Sequence, residues 1–132
     1  MKRRGFTVIE LLVVIVILIV AGWLFFSEKA RIDAVDRDND RKTAVNAMYY
    51  TVEEVFYPAN GYYPASIDSK SLRAMDPSLF TDPFGNALGA NGSDYRYDAT
   101  GCTTEGKCTG YTLRAIMERE ADYIKTNRNN AS

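Results

Sequence analysis

The chain has 132 residues, 46% of them hydrophobic, with 16 basic and 17 acidic side chains, no histidine and two cysteines, for a formal net charge of −1. Without histidine, a phosphate-binding glycine loop, or a serine or cysteine spaced to a base, it offers none of the usual catalytic constellations and reads as a non-enzyme. Carboxylate pairs such as Glu53-Glu54 and Glu118-Glu120 are expected as solvated surface, and the charge balance supplies no basic face for nucleic acid.

The first element opens with Lys2-Arg3-Arg4-Gly5-Phe6-Thr7-Val8-Ile9-Glu10, followed by sixteen uncharged, mostly apolar residues from Leu11 to Phe26. As a helix, Phe6 to Phe26 rises roughly 31 Å, one hydrocarbon thickness. The basic cluster holds the N-terminus in the cytoplasm and sends the remainder across. An ordinary secretory signal is disfavoured, because the run continues into Trp23, Leu24, Phe25 and Phe26 with no small-residue cleavage site after it. A plain signal anchor accounts for the length but not for Glu10. An ionised carboxylate in a transmembrane segment costs at least about 2.5 kcal/mol and calls for a partner.

This order of basic leader, Gly-Phe junction, single acid and apolar run resembles the class III leader of type IV pilins and of the pseudopilins of type II secretion systems. The resemblance implies cleavage by a prepilin peptidase between Gly5 and Phe6, followed by N-methylation of Phe6. It also implies that Glu10 of one subunit faces the Phe6 amine of a neighbour, a pair completed only on assembly. Loss of Lys2, Arg3 and Arg4 takes the formal charge from −1 to −4, the wrong sign for nucleic acid binding by the single subunit.

Beyond Phe26 the composition turns charged, yet nothing breaks a helix until Tyr57-Pro58. Many pilins bend at a proline near the place of Ser27; here Gly22 is the intrinsic weak point, at about 1 kcal/mol relative to alanine. Asp36 to Lys42 has no apolar face and is expected as a solvated stretch of one continuous helix, with Asp38 paired to Arg41 or Lys42 at helical spacing. Ala44, Val45, Met48, Tyr49, Val52, Val55 and Phe56 form an apolar stripe destined for a sheet, with Thr43, Asn46, Thr51 and Glu53-Glu54 off it.

Ala47-Met48-Tyr49-Tyr50 and then Asn60-Gly61-Tyr62-Tyr63-Pro64 resemble the helix end and G-x-Y-P corner of bacterial pilins and pseudopilins. Pro58 should push Tyr57 out of helical geometry, and Asn60-Gly61 permits positive φ. Ser66 to Met75 predicts a short helix, capped by Ser66, Asp68 or Ser69, burying Ile67, Leu72 and Met75, and ended by Asp76-Pro77. Thr81-Asp82-Pro83-Phe84-Gly85-Asn86 resembles the D-P-x-G-N segment of major pseudopilins, except that Ala87 to Ser93 replaces the aromatic that usually follows. In some pseudopilins this region binds calcium, for which Asp82, Asn86, Asp94 and Asp98, with Asn91 and Ser93, are the oxygen donors here. Their spacing matches no known calcium loop, so turn chemistry is the preferred reading, with no metal or cofactor expected beyond that alternative. Asn91-Gly92-Ser93 and Asn130-Ala131-Ser132 are sequon-like but short enough to arise by chance.

Tyr95 to Asp98 and Gly110 to Glu118 alternate as strands of an antiparallel hairpin, with Tyr111, Leu113, Ala115 and Met117 on one face. Between them, Cys102 and Cys108 would lie where a disulfide persists, the alternative being two free thiols. A bridge would close the Thr103 to Lys107 loop, worth about 2 to 3 kcal/mol. Many pilins close a larger receptor-binding loop, so an adhesive role for this one is not implied. Ala121 to Lys125 can add a third strand, and Thr126 to Ser132 is expected as a disordered end.

The expected architecture is α+β, a pilin-like lollipop: a leader over residues 1–5, a transmembrane and filament-core helix over 6–26, its amphipathic continuation over 27–57, and a globular region over 58–132 with an antiparallel hairpin. The resemblance implies a structural subunit of a type IV pilus or pilus-like filament. A pseudopilin of a secretion or DNA-uptake system and a monomeric membrane-anchored binding module are the alternatives. Implied partners are membrane lipid before assembly, the prepilin peptidase, an assembly platform protein with its ATPase, and sister pilins. The destination is an extracellular filament or a periplasmic pseudopilus.

Overall fold

The computed structural model describes residues 5–128, so Lys2, Arg3 and Arg4 of the leader and the last four residues, Asn129 to Ser132, lie outside the described residues. The chain divides into two compact units, one ending at Ala34 and one starting at Val35. Helix α1 (Val8–Thr51) contributes to both.

In the first unit α1 is long and apolar enough to cross a membrane, and none of its most apolar window is buried by the rest of the protein. A helix apolar on every face must be covered by lipid or by other helices. The β-branched run from Val13 to Ile17 would weaken an isolated helix in water. It suits a segment whose backbone groups have no solvent partner and must bond internally. Gly22 and Ser27 sit within unbroken helix, the Ser27 hydroxyl donating to the Leu24 carbonyl at 3.0 Å.

The second unit is built on the remainder of α1. Ala44, Val45, Met48 and Val52 are buried, as their spacing requires, against Tyr63, Leu72, Phe80, Tyr95, Tyr111, Leu113 and Ala115. The expected stripe breaks at Val55, while Phe56 is partly buried against the core. Val55 is 45% exposed, whereas Thr51 and Glu53, expected off the stripe, are each 6% exposed. The cause is a π turn at Val52–Phe56, which adds a residue to the turn and rotates Glu53 inward and Val55 outward.

The same π turn corrects the expectation for Pro58. Tyr57 stays helical at φ −62°, ψ −46°, donating its N–H to Val52, and α2 (Tyr57–Asn60) runs on to Gly61. The widened turn moves the preceding carbonyls away from the proline ring, which would otherwise clash with them. Gly61 then ends the helix at φ 76°, with its N–H donating to the Tyr57 carbonyl at 2.7 Å.

The helix expected over Ser66 to Met75 does not form. Asp68 accepts the N–H groups of Lys70 and Ser71 at 2.9 and 2.8 Å, and Leu72 N–H closes a single turn on the Asp68 carbonyl. These local side-chain bonds compete with propagation, and Pro77 bars helical geometry shortly after. Ile67, Leu72 and Met75 are nevertheless buried. Asp76 starts a turn where it was expected to end one, capping the 3₁₀ helix Pro77–Phe80 through the Ser78 N–H at 2.9 Å.

β1 (Tyr63–Pro64) pairs antiparallel with β3 (Lys107–Cys108). β2 (Tyr95–Thr100), β4 (Gly110–Ala115) and β5 (Tyr123–Thr126) make a second antiparallel sheet with β4 central. The register sets Tyr97 opposite Leu113, and Leu113 opposite Lys125. Tyr111, Leu113, Ala115 and Met117 are buried together, as the alternation requires. The end at Thr126 is ordered, contrary to expectation. Thr126 pairs with Thr112, the buried Asn127 accepts the Tyr111 N–H at 3.1 Å, and Arg128 N–H donates to Glu53 at 3.1 Å.

Candidate processing and assembly site

The N-terminal site starts from a helix cap. Thr7 precedes α1 and Glu10 occupies its third position. The Thr7 N–H and hydroxyl donate to Glu10 Oε2 at 2.8 and 3.1 Å, while Glu10 N–H donates to Thr7 Oγ1 at 3.3 Å. This is a capping box, and its carboxylate also lies favourably at the positive end of the helix dipole. Glu10 therefore has partners within its own first turn, which sequence reasoning missed although Thr7-x-x-Glu10 is its signature. Phe6 is 83% exposed, and among the described residues a Cβ added at Gly5 would meet nothing within 4 Å beyond its chain neighbours. Both residues of the expected cleavage junction are thus open to another molecule.

A second charged centre lies on Asp36 to Lys42. The helix is continuous there as expected, but the segment is solvated only in part: Asp36, Asn39 and Asp40 are exposed, whereas Asp38 and Arg41 are 2% and 1% exposed. Arg41 Nη1 donates to Asp38 at 2.8 Å, and its Nε and Nη2 donate to Asp94 Oδ2 at 3.0 and 2.7 Å. Asp38 also accepts the Glu118 and Arg119 N–H groups, each at 2.9 Å. Those bonds draw the chain away from β4, which ends at Ala115 rather than at the expected Glu118. Burial opposes ionisation of Asp38, but the two N–H groups and Arg41 outweigh it and hold the carboxyl below its usual range. Burial likewise opposes the charge on Arg41, and the carboxylates of Asp94, Glu118 and Asp38 more than restore it. The signal for this centre was present, since stepping back from Val45 at helical spacing reaches Arg41 and Asp38 on the extension of the apolar stripe.

The remaining acidic pairs also find partners. Glu118 bonds Arg37 at 2.9 Å and Glu120 bonds Lys42 at 2.6 Å, while Glu54 pairs with Arg128. Glu53, expected in solvent, accepts the hydroxyls of Tyr63 and Tyr111 at 3.1 and 2.9 Å. Burial, reinforced by the Glu53 charge, pushes the Tyr63 hydroxyl up to about 12 and raises Tyr111 further.

Some of the oxygen donors considered for calcium bond within the protein. Asp82 Oδ1 accepts the Phe84 and Asn86 N–H groups at 3.0 and 2.8 Å, and Oδ2 accepts Asp94 N–H at 2.9 Å. Burial opposes ionisation of Asp82, but these bonds lower its carboxyl overall. Asp94 is held by Arg41, and Asp98 lies on β2, about 13 Å along the strand from Asp94. Among the described residues no three acids, cysteines or histidines are grouped to hold a metal ion. The bonds of Asp82 are those of an Asx turn. Cys102 and Cys108 are disulfide-bonded, with Cys108 buried in β3.

Residues 1–25 match the family model described as the prokaryotic N-terminal methylation motif. Comparison with curated proteins gave no match, nor did comparison with solved structures. The chain thus opens with a class III prepilin leader, the feature characteristic of type IV pilins and pseudopilins, carried on a membrane-length helix.

Proposed function

We propose that the protein is a structural subunit of a type IV pilus or pilus-like filament, cleaved between Gly5 and Phe6, methylated on the Phe6 amine, and assembled through helix α1. The observation that carries this reading is the methylation motif followed by an apolar helix that its own body leaves uncovered. In the membrane lipid covers that helix, and in the filament the helices of sister subunits take its place. Exchange of lipid for apolar helices is nearly neutral, so packing and specific polar contacts must set the register. Glu10 supplies such a contact through the Phe6 amine of a neighbour, which adds to the capping box or displaces part of it. The peptidase, a platform protein and its ATPase are the partners this route requires.

A pseudopilus is the second reading, favoured by the Asp82 to Asn86 turn, whose sequence resembles that of major pseudopilins. Labelled filaments imaged on cells separate the two, since a pilus gives long surface fibres and a pseudopilus short periplasmic ones. Intact-mass measurement should show the membrane form starting at Phe6 with one added methyl. Glu10→Gln is the sharper test, because glutamine preserves the capping box while removing the charge. That variant should be cleaved and folded normally yet be lost from filaments. Wild-type incorporation would refute the charge-pair register.

A further inference from the structure

The exposed loop between the Asp82 turn and β2 contains Asn91-Gly92, and the structure assigns it as a site of spontaneous deamidation and isoaspartate formation. The chain provides its own comparison in Asn60-Gly61. Both asparagines are exposed, so exposure does not separate them. Asn60 closes helix α2: its side-chain amide donates to the Phe56 carbonyl at 2.9 Å and the Gly61 N–H donates to Tyr57 at 2.7 Å. Neither the amide nor the attacking nitrogen is available there without opening the helix end. At Asn91, among the described residues, neither the side chain nor the Gly92 N–H is bonded to any group. Gly92 stands at φ 81°, and with no Cβ its nitrogen can approach the neighbouring side chain.

The reaction needs no cofactor. The Gly92 nitrogen gives up its proton to water and attacks Asn91 Cγ; a C–N bond forms, the bond to the amide nitrogen breaks, and ammonia leaves. Water then opens the five-membered imide at either carbonyl, giving aspartate or isoaspartate. Either product adds a negative charge, and the second lengthens the main chain by one carbon within the loop that Asn86 bonds through the Gly92 carbonyl at 3.4 Å. The same tripeptide is sequon-like, but the structure opposes glycosylation of the folded chain. Ser93 is 3% exposed and its hydroxyl accepts the Tyr95 N–H at 3.2 Å, so it is not presented to a transferase beside Asn91.

The test incubates the full-length chain in detergent micelles at mildly alkaline pH, followed by peptide mass spectrometry and labelling with isoaspartyl methyltransferase. Asn91 should convert at least about tenfold faster than Asn60 while the protein is folded, because Asn60 reacts only after local opening. In denaturant the two should converge, and Asn91→Gln should abolish labelling at this loop. Equal rates in the folded protein would overturn the assignment, as would a persistent amide at Asn91 or a glycan on Asn91 in protein taken from cells.

Discussion

Replacing Arg41 by methionine should unfold the second unit far more readily while leaving the first unit untouched. Methionine nearly matches the side-chain volume, so the loss is that of the charge and not of packing. The guanidinium is 1% exposed and bonds Asp38 and Asp94 at 2.7 to 3.0 Å, with Glu118 at 3.6 Å. Removing one partner of a buried pair costs about 3 to 5 kcal/mol. The lower end applies, because Asp38 keeps two backbone N–H donors and Asp94 is partly solvated. For a unit of this size, about 3 kcal/mol lowers Tm by roughly 12 to 24 °C. Near-ultraviolet circular dichroism of the buried tyrosines follows this unit selectively in the full-length chain in micelles. Arg41→Lys should fall between, since it keeps the charge but not the planar fork. Adding Asp38→Asn and Asp94→Asn to Arg41→Met should recover a large part of the loss by discarding the stranded charges. A Tm within a few degrees of wild type for Arg41→Met alone would refute the reasoning.

The Asp38 and Asp82 carboxyls are lowered in the fold, so the stability they contribute is present above about pH 4 and lost as pH falls below it, which acid titration of Tm checks. Burial raises Tyr63 and Tyr95 to about 12, so that contribution is complete below about pH 10 and disappears as pH climbs toward 12. Tyrosinate absorbance should therefore rise in step with unfolding; full ionisation with the fold intact would contradict it. Cys102→Ser should lower stability by about 2 kcal/mol through the lost six-residue closure while leaving β2, β4 and β5 paired, and two titratable thiols in oxidised wild-type protein would disprove the bridge. Gly5→Leu should block cleavage without disturbing the folded body, because among the described residues a Cβ at Gly5 meets nothing within 4 Å beyond its chain neighbours, and cells should accumulate precursor.

How much of the protein was legible depended on how local the cause was. The leader, the apolar span and the alternation of Tyr111, Leu113 and Ala115 are periodic or ordered patterns whose meaning is set by nearest neighbours along the chain, and a linear reading finds them. Thr7-x-x-Glu10 is equally local, but the same carboxylate suits a partner in another subunit as well as the cap one turn away, and spacing alone does not rank the two. Ser66 to Met75 and Tyr57-Pro58 went the other way: caps and a proline were visible, but whether a turn propagates or a helix widens to pass a proline depends on competing hydrogen bonds of similar strength.

By itself the sequence determined where the methylation motif lies, where the apolar segment of membrane length runs, and which helix face carries the apolar stripe of the folded body. Only the tertiary structure decided the fate of the charges. Asp38, Arg41 and Glu53 look like solvent-facing residues because charge alone predicts exposure, and a buried charge is tolerated only when partners arrive from elsewhere. Those partners are Asp94, the Glu118 and Arg119 amides, Tyr63 and Tyr111, set 10 to 81 residues away in the chain. No pattern of spacing within the helix contains them, so the balance between desolvation and pairing is settled only when the sheet lies against α1.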